Sequence, residues 1–414
     1  MVNNSMKKAE KPLRVAMIAP PWLRIPVKGY GGVENVVDAL TSALVKKGVE
    51  VDLFSVLGSY IPGARTIAVT GREEYDNILK PMYEFGMPAP CAHILDSLNI
   101  IRLDGEYDVI HDHNYFIGPS VLIPAAGKGE IPPAIHTIHG PPLTPQEAVD
   151  TGVTDNRFFW RAAAGDHDCS LVSISDAMRY AMPTELEQQH NMLDTVYNAV
   201  DTSEFTFIDR DGKKNYFVTL GGFSAEKNQG LAARTCAKKK LRLRMAGPIV
   251  DIKTNQKLLA ELANPMSRYR GDRNFRYFSD EVLPWILKSP HVSYSGMVAG
   301  KKKMKFLSEA KALLHPITWN EPFGMVIIEA LACGTPVVAL NRGAMSEIIE
   351  HGVNGFLAET EEEFAAYLDR VDEIDPKECR KSVERKFSAE AMADGYIARY
   401  MEAIEKANAR NAVA

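Results

Sequence analysis

The stretch that most constrains this chain is Glu321-Pro322-Phe323-Gly324-Met325-Val326-Ile327-Ile328-Glu329-Ala330-Leu331-Ala332-Cys333-Gly334-Thr335-Pro336. Its pattern predicts a helix with Pro322 at the first position, where proline is best tolerated. Met325 to Cys333 carry the helix, and Gly334 and Pro336 end it. Acids bracket it. Glu321 precedes the proline and belongs to the incoming loop, from which it can reach over the helix mouth, while Glu329 lies on the helix body. Between them the amides of Phe323, Gly324, Met325 and Val326 are the donors that a helix start leaves unpaired, and the dipole there favours an anion. Gly324 has no side chain and permits close approach. Taken singly, each glutamate is more simply a solvated charge, but the apolar residues around Glu329 leave it little exposed surface, so a partner is expected. A phosphate held at the helix start, with polyhydroxylated groups gripped on either side, is the outline of a sugar nucleotide.

The remainder of the chain supplies the setting for such a site. Leu13 to Ala19 reads as a short buried strand, closed by Pro20-Pro21 and followed by the loop Lys28-Gly29-Tyr30-Gly31-Gly32. Val33 to Lys47 has helical apolar spacing, Gly48 ends it, and Val49 to Val56 is the next strand, which completes a βαβ unit. The glycine loop feeds a helix start and so can cradle a phosphate or a sugar. It is not the dinucleotide fingerprint, and the second strand runs into Ser55 instead of an acid that would hold a ribose. Residues 57–90 read as loop-rich, with a helix near 91–103. Further strands are expected at Tyr107 to His113, Ala134 to Ile138 and Leu171 to Ser175, and Ser175-Asp176 caps a following helix. His111, Asp112 and His113 alternate sides on an extended chain and read as packing at a strand end, not as a metal site. His139 follows its strand at the carboxyl end, where parallel sheets place their chemistry. Thr206 to Asn215 has linker composition, after which strands begin again at Tyr216 to Leu220, Leu241 to Ala246, His291 to Ser295 and Leu313 to Pro316. Residues 249–290 read as a solvated insertion, and Ser388 to Ala407 as a final amphipathic helix.

The stretch from Glu321 to Pro336, continued by Val337-Val338, resembles the signature of the retaining glycosyltransferases of family 4. The resemblance covers nearly the whole chain. It implies an α/β fold of GT-B type: two facing Rossmann-like domains, a cleft between them, and a C-terminal helix that crosses back to the N-terminal domain. The implied divisions are an acceptor-side domain over 1–204, with 1–11 disordered, a donor domain over 205–387, and the returning helix over 388–414. Val196-Tyr197-Asn198-Ala199-Val200-Asp201 resembles the segment that ends the first domain, with Ala199 where glycine is usual. By the same resemblance Gly31 and Gly32 face the donor diphosphate, His139 lies beside the donor sugar, and the backbone near Met297 and Val298 reads the nucleobase. Glu321 holds donor-sugar hydroxyls and Glu329 the ribose. Gly221-Gly222-Phe223-Ser224-Ala225-Glu226-Lys227-Asn228 is similar to the family's diphosphate-clamping loop, but Gly222 stands in place of its arginine, leaving Lys227 as the remaining cation unless Arg24 or Lys28 substitutes. Asn341 to Glu347 resembles a further family turn.

The implied activity is metal-independent transfer of a hexosyl unit from a nucleotide diphosphate sugar to a hydroxyl acceptor, with retention at the anomeric carbon. A UDP-sugar is favoured, a GDP-sugar next, and the acceptor is a sugar, a small molecule or a lipid-linked group. The nucleotide sugar is a co-substrate, so no cofactor is expected. Gly222 keeps open a weak or inactive member that only binds sugar nucleotides or glycans, and another enzyme of the architecture, such as a sugar-nucleotide epimerase, is a second alternative. Composition narrows the partners. A net charge of −5 offers no basic field for nucleic acid. Lys238-Lys239-Lys240 and Lys301-Lys302-Lys303 read as solvated helix ends, so a peripheral membrane contact gains no support from them. The five cysteines, Cys91, Cys169, Cys236, Cys333 and Cys379, lie far apart, which fits a reducing cytoplasm. No apolar run approaches the ~20 residues of a membrane span.

Overall fold

The protein is described by a computed structural model over residues 11–27, 31–74, 87–140, 143–144, 146–252 and 254–412. The N-terminal stretch expected to be disordered lies outside the described residues except for Lys11, and so do Lys28, Gly29 and Tyr30.

Two parallel six-stranded sheets form the frame. The first is built from β1 (Arg14–Ile18), β2 (Glu50–Val56), β3 (Arg65–Thr70), β4 (Val109–Asp112), β5 (Ala134–Ile138) and β6 (Cys169–Ser173), in the order β3-β2-β1-β4-β5-β6. The second is built from β7 (Phe217–Leu220), β8 (Leu243–Ala246), β9 (Val292–Tyr294), β10 (Ala312–His315), β11 (Val337–Leu340) and β12 (Gly355–Ala358), in the order β12-β11-β10-β7-β8-β9. Read from its other edge, the second sheet repeats the first. Each therefore has one place where the strand order reverses, between β1 and β4 and between β7 and β10, and there the outgoing loops diverge and leave a crevice. Residues such as Val15, Met17, Val109, Ile135, Val218, Leu313 and Val338 are fully buried, as strands covered by helices on both faces must be.

The chain passes between the units twice, and the two passages are joined. Val200 pairs with Ser388 in a parallel bridge, and Val200 N–H donates to Phe387 C=O at 3.1 Å. Ser388 Oγ then caps the last helix, Ala389–Asn411, by accepting from Ala391 N–H at 3.2 Å. That helix packs on the first unit, along helix Val33–Lys46 and across β4 and β5. Two buried tyrosines fasten it. Tyr400 OH bonds His111 Nδ1 at 2.7 Å, and Tyr396 OH bonds Thr137 Oγ1 at 2.8 Å, which also meets His111 Nε2. A second link between the units is the Glu347 carboxylate, which accepts from the Asp176 and Ala177 amides at 2.7 Å each, at the start of helix Asp176–Ala181.

Three expectations need correction. The loop-rich reading of 57–90 overlooks β3, an edge strand whose residues stay half-exposed or exposed and whose large apolar residues are only Ile67 and Val69, packed against the core. The segment 249–290 is not a solvated insertion. It contains helices Asn255–Ala263, Arg273–Tyr277 and Leu283–Lys288, with Phe275, Phe278 and Val282 buried. Phe278 sits edge-on to Phe223 at 5.2 Å, and Tyr277 OH accepts from Gly230 N–H at 2.8 Å, so this segment props up the loop that carries Lys227. Finally, the helix after Glu321 spans Met325–Ala332 and does not begin at Pro322.

The Tyr400 contact can be tested. Tyr400→Phe leaves His111 Nδ1 buried without its partner. A fall of about 1–3 kcal/mol in unfolding free energy is expected in urea titration, with little change in slope.

Candidate functional site

The strand order decides where loops can converge. The chain leaving β1 reaches Gly31, that leaving β7 reaches Lys227, and that leaving β10 reaches Glu321, so the two reversal points face each other across the gap between the units. The cleft there has a volume of about 480 Å³. Gly31, Gly32 and His139 line it from the first unit. Lys227, Met297, Val298, Glu321, Phe323, Gly324, Met325, Val326 and Glu329 line it from the second. The residues expected to hold the donor or act on it are thus brought to one cavity.

The helix start is shaped by Gly324. Its φ is +92°, a left-handed conformation in which a Cβ would also meet Ile327 Cδ1 at 2.9 Å. This turn is why Pro322 lies outside the helix: the chain bends after Phe323 before winding begins. Ile327 N–H returns to Gly324 C=O at 2.9 Å, and the Met325 and Val326 amides are those that the first turn leaves for a ligand. Gly324, Met325 and Val326 are half-exposed, whereas Phe323 is buried between Tyr197 and Phe387. Phe323 therefore offers the cleft only its backbone.

Glu321 is held from behind. Gly343, at φ +60°, lets its loop lie directly on the Glu321 backbone, where a Cβ would overlap, and Ala344 N–H donates to Glu321 C=O at 3.0 Å. The Glu321 side chain is 8% exposed and its Oε2 takes both Lys227 Nζ, at 2.5 Å, and Trp319 Nε1, at 2.9 Å. Lys227 also lies over the Trp319 ring. Both partners use the same oxygen, so Oε1 is left for a ligand. Glu329 repeats the arrangement. It is buried, and its Oε1 takes Lys303 Nζ at 2.6 Å. Lys303 is the partner that a buried Glu329 required, and reading it as part of a solvated helix end missed it. The available signal was position: the lysine run opens helix Gly300–Ser308 immediately after the Met297-Val298 loop, so its first turn has to face the same cleft.

Two more polar groups were not anticipated as site residues. His315, at the end of β10, and Asn198, on the chain leaving the first unit, both line the cleft while buried. Among the described residues, His315 Nε2 and Asn198 Oδ1 have no hydrogen-bond partner. Burial, and then the Lys227 charge, push His315 down to about 4. His139 is half-buried, with Nε2 at 2.7 Å from His113 Nδ1. Burial and the neighbouring His136 push it down to about 3.

Gly222 faces open space. A Cβ there would find only Pro248 C=O, at 4.0 Å, and its own carbonyl accepts from Gln229 Nε2 at 2.8 Å. Among the described residues lining the cleft, the cations are Lys227 and Lys303. Arg24 does not line it, since its loop is tied to Glu73 through a 2.9 Å backbone bond, and Lys28 lies outside the described residues. His111, Asp112 and His113 bond to Tyr400, His136 and His139 respectively, as packing groups at a strand end do. No group of metal-binding side chains occurs among the described residues, and no helix among them is long and apolar enough to cross a membrane.

Two family profiles match consecutive parts of the chain: Glycosyltransferase Family 4 over residues 30–204 and Glycosyl transferases group 1 over residues 201–387. An uncharacterized glycosyltransferase of Methanocaldococcus jannaschii is 24% identical over 95% of this chain and 99% of its own length. Among solved structures, sucrose-phosphate synthase from Thermosynechococcus elongatus superposes with a TM-score of 0.69 at 19% identity, covering 94% of this chain and 98% of that one. The Anabaena protein HepE, in complex with UDP-glucose, does so with a TM-score of 0.60 at 20% identity, covering 94% and 99%. At these identities the two structures share its two-domain GT-B fold.

The buried histidines make stability depend on pH. His93 is pushed down to about 4 by burial, His315 to about 4, and His111 and His113 well below the ordinary value. All are neutral when folded at neutral pH, while the unfolded chain takes up their protons below pH ~6.5. The unfolded state then binds more protons, so stability falls as pH drops through the window from ~6.5 toward ~4, by roughly 1.4 kcal/mol per pH unit for each such histidine. Urea midpoints measured across this window should fall steeply, and a flat profile would contradict the burial of these groups.

Proposed function

We propose that this chain, which belongs to glycosyltransferase family 4 and has the GT-B architecture, moves a hexosyl unit from a nucleotide diphosphate sugar to a hydroxyl acceptor with retention at the anomeric carbon. The observation that carries this reading is the arrangement along one cleft: open amides at a helix start, Lys227 beside them, and two buried acids that each keep one oxygen unengaged.

The diphosphate lies at the Met325 and Val326 amides, and Lys227 exchanges its contact with Glu321 for a phosphate oxygen. Glu321, still held by Trp319, takes donor-sugar hydroxyls on its remaining oxygen, and Glu329, held by Lys303, takes the ribose hydroxyls. The base rests against the backbone at Met297 and Val298, which can read its edge without a dedicated side chain. As the glycosidic bond breaks, charge grows on the leaving diphosphate, and the helix start with Lys227 stabilises it without a metal. The acceptor attacks from the same face and passes its proton to that diphosphate. A UDP-sugar is the donor we favour, supported by the shared fold with HepE, which is seen with UDP-glucose. The five free thiols, four of them buried, fit a reducing cytoplasm. Glu321→Ala should lower kcat/KM for a UDP-hexose by roughly a hundredfold or more, the scale seen when a group that acts on the transition state is removed. Unaltered turnover would remove Glu321 from the mechanism.

Gly222 favours a second reading, in which the protein binds sugar nucleotides and turns them over weakly or not at all. The space beside Gly222 admits a longer side chain. Gly222→Arg should strengthen donor affinity or rate by roughly tenfold or more, one charge-assisted phosphate contact, as measured by calorimetry and by release of nucleoside diphosphate. Binding without turnover in both forms would favour the binding protein.

A further inference from the structure

His139 is reached from the cleft on one side and from the buried interior on the other. Behind it stands His113, whose Nδ1 is 2.7 Å from His139 Nε2 and whose Nε2 is 3.0 Å from Met17 Sδ. Met17 is fully buried on β1, and His113 is 2% exposed. A thioether sulfur can only accept, so His113 must carry its proton on Nε2. A neutral imidazole has one N–H, and therefore His113 Nδ1 accepts. The proton between the two rings then belongs to His139, on Nε2. His139 has only one proton as well, so its Nδ1 carries none, and His139 is one of the residues that line the cleft.

We infer that Met17 and His113 are positioning residues that lock His139 in the Nε2–H tautomer, so that the cleft presents a hydrogen-bond acceptor to the transferred sugar and selects a neutral hexosyl donor over a hexuronosyl one. The inference rests on the donor reading above. A sugar hydroxyl placed there donates to Nδ1. A carboxylate has no proton to give, so lone pairs would face each other. Protonating His139 would relieve that clash, but burial, and then the neighbouring His136, disfavour the imidazolium. Met17 thus acts two side chains away from the ligand. Nothing in its own position, a core methionine on a central strand, would otherwise distinguish it from Leu53 or Val109.

The test reads the tautomer directly and the specificity separately. In the full chain labelled with 15N-histidine, ring-nitrogen NMR at neutral pH should show His139 as the Nε2–H form. Met17→Leu keeps the volume and apolar character of the core but removes the acceptor, so His113 is freed and His139 should become a mixture of both tautomers. The ratio of kcat/KM for a UDP-hexose over the matching UDP-hexuronate should then fall roughly two- to tenfold, one neutral hydrogen bond's worth. A wild-type spectrum showing the Nδ1–H form, or a Met17→Leu protein with unchanged tautomer and unchanged ratio, overturns the inference. If the wild-type protein turns over no UDP-sugar while His139 is the Nε2–H form, the donor reading fails and the relay stands.

Discussion

The cleft depends on a constraint of topology more than on any single contact. Each sheet reverses its strand order once, and the reversal is the only place in a covered parallel sheet where two neighbouring loops leave in opposite directions. The loops leaving β1, β7 and β10 empty into one gap, joined there by His139 after β5. Glycine then sets how closely backbone can approach there. Gly324 turns the chain so that a helix start points into the gap, and Gly343 lets a neighbouring loop press against the backbone of Glu321. The acids and lysines act from positions the backbone has already chosen.

Electrostatically the cleft is satisfied but not saturated. Each buried carboxylate is neutralised by one lysine through one oxygen, which lowers the cost of burying it and keeps the second oxygen in place. Lys227 and Lys303 are each about one-third exposed, so each pair has one end in the cleft and one in the interior. The Trp319 indole gives Glu321 a second partner on the same oxygen, independent of Lys227.

Much of this was legible before the structure. Buried parallel strands appear as continuous apolar runs, and the phrase around Glu321 and Glu329 is specific enough to place a site. What escaped reading has physical reasons. β3 is a short edge strand whose apolar alternation is only Ile67 and Val69, too brief to stand out from the loops around it. The turn at Gly324 looks from sequence like the second residue of a helix begun by Pro322, because a single left-handed residue leaves no trace in periodicity. Segment 249–290 carries its buried aromatics among many arginines and asparagines, and the charges hide Phe275 and Phe278. Lys303 was missed because a lysine run says nothing about which way one of its members points. Asn198 and His315 became visible as site residues only through the orphaned atoms that burial leaves them.

The returning helix also bears on how the protein is made. The first unit leaves the ribosome with β1 to β6 complete, yet the surface over β4 and β5 that holds His111 and Thr137 stays wet until Tyr396 and Tyr400 are made, after the whole second sheet. The six strands of the second unit all lie between Phe217 and Ala358, so it can consolidate while the first still waits. Translation order and folding order are therefore opposed for these two units: the one begun first is the one finished last, and a nascent chain stalled before residue 389 would hold a closed second unit attached to an open first one.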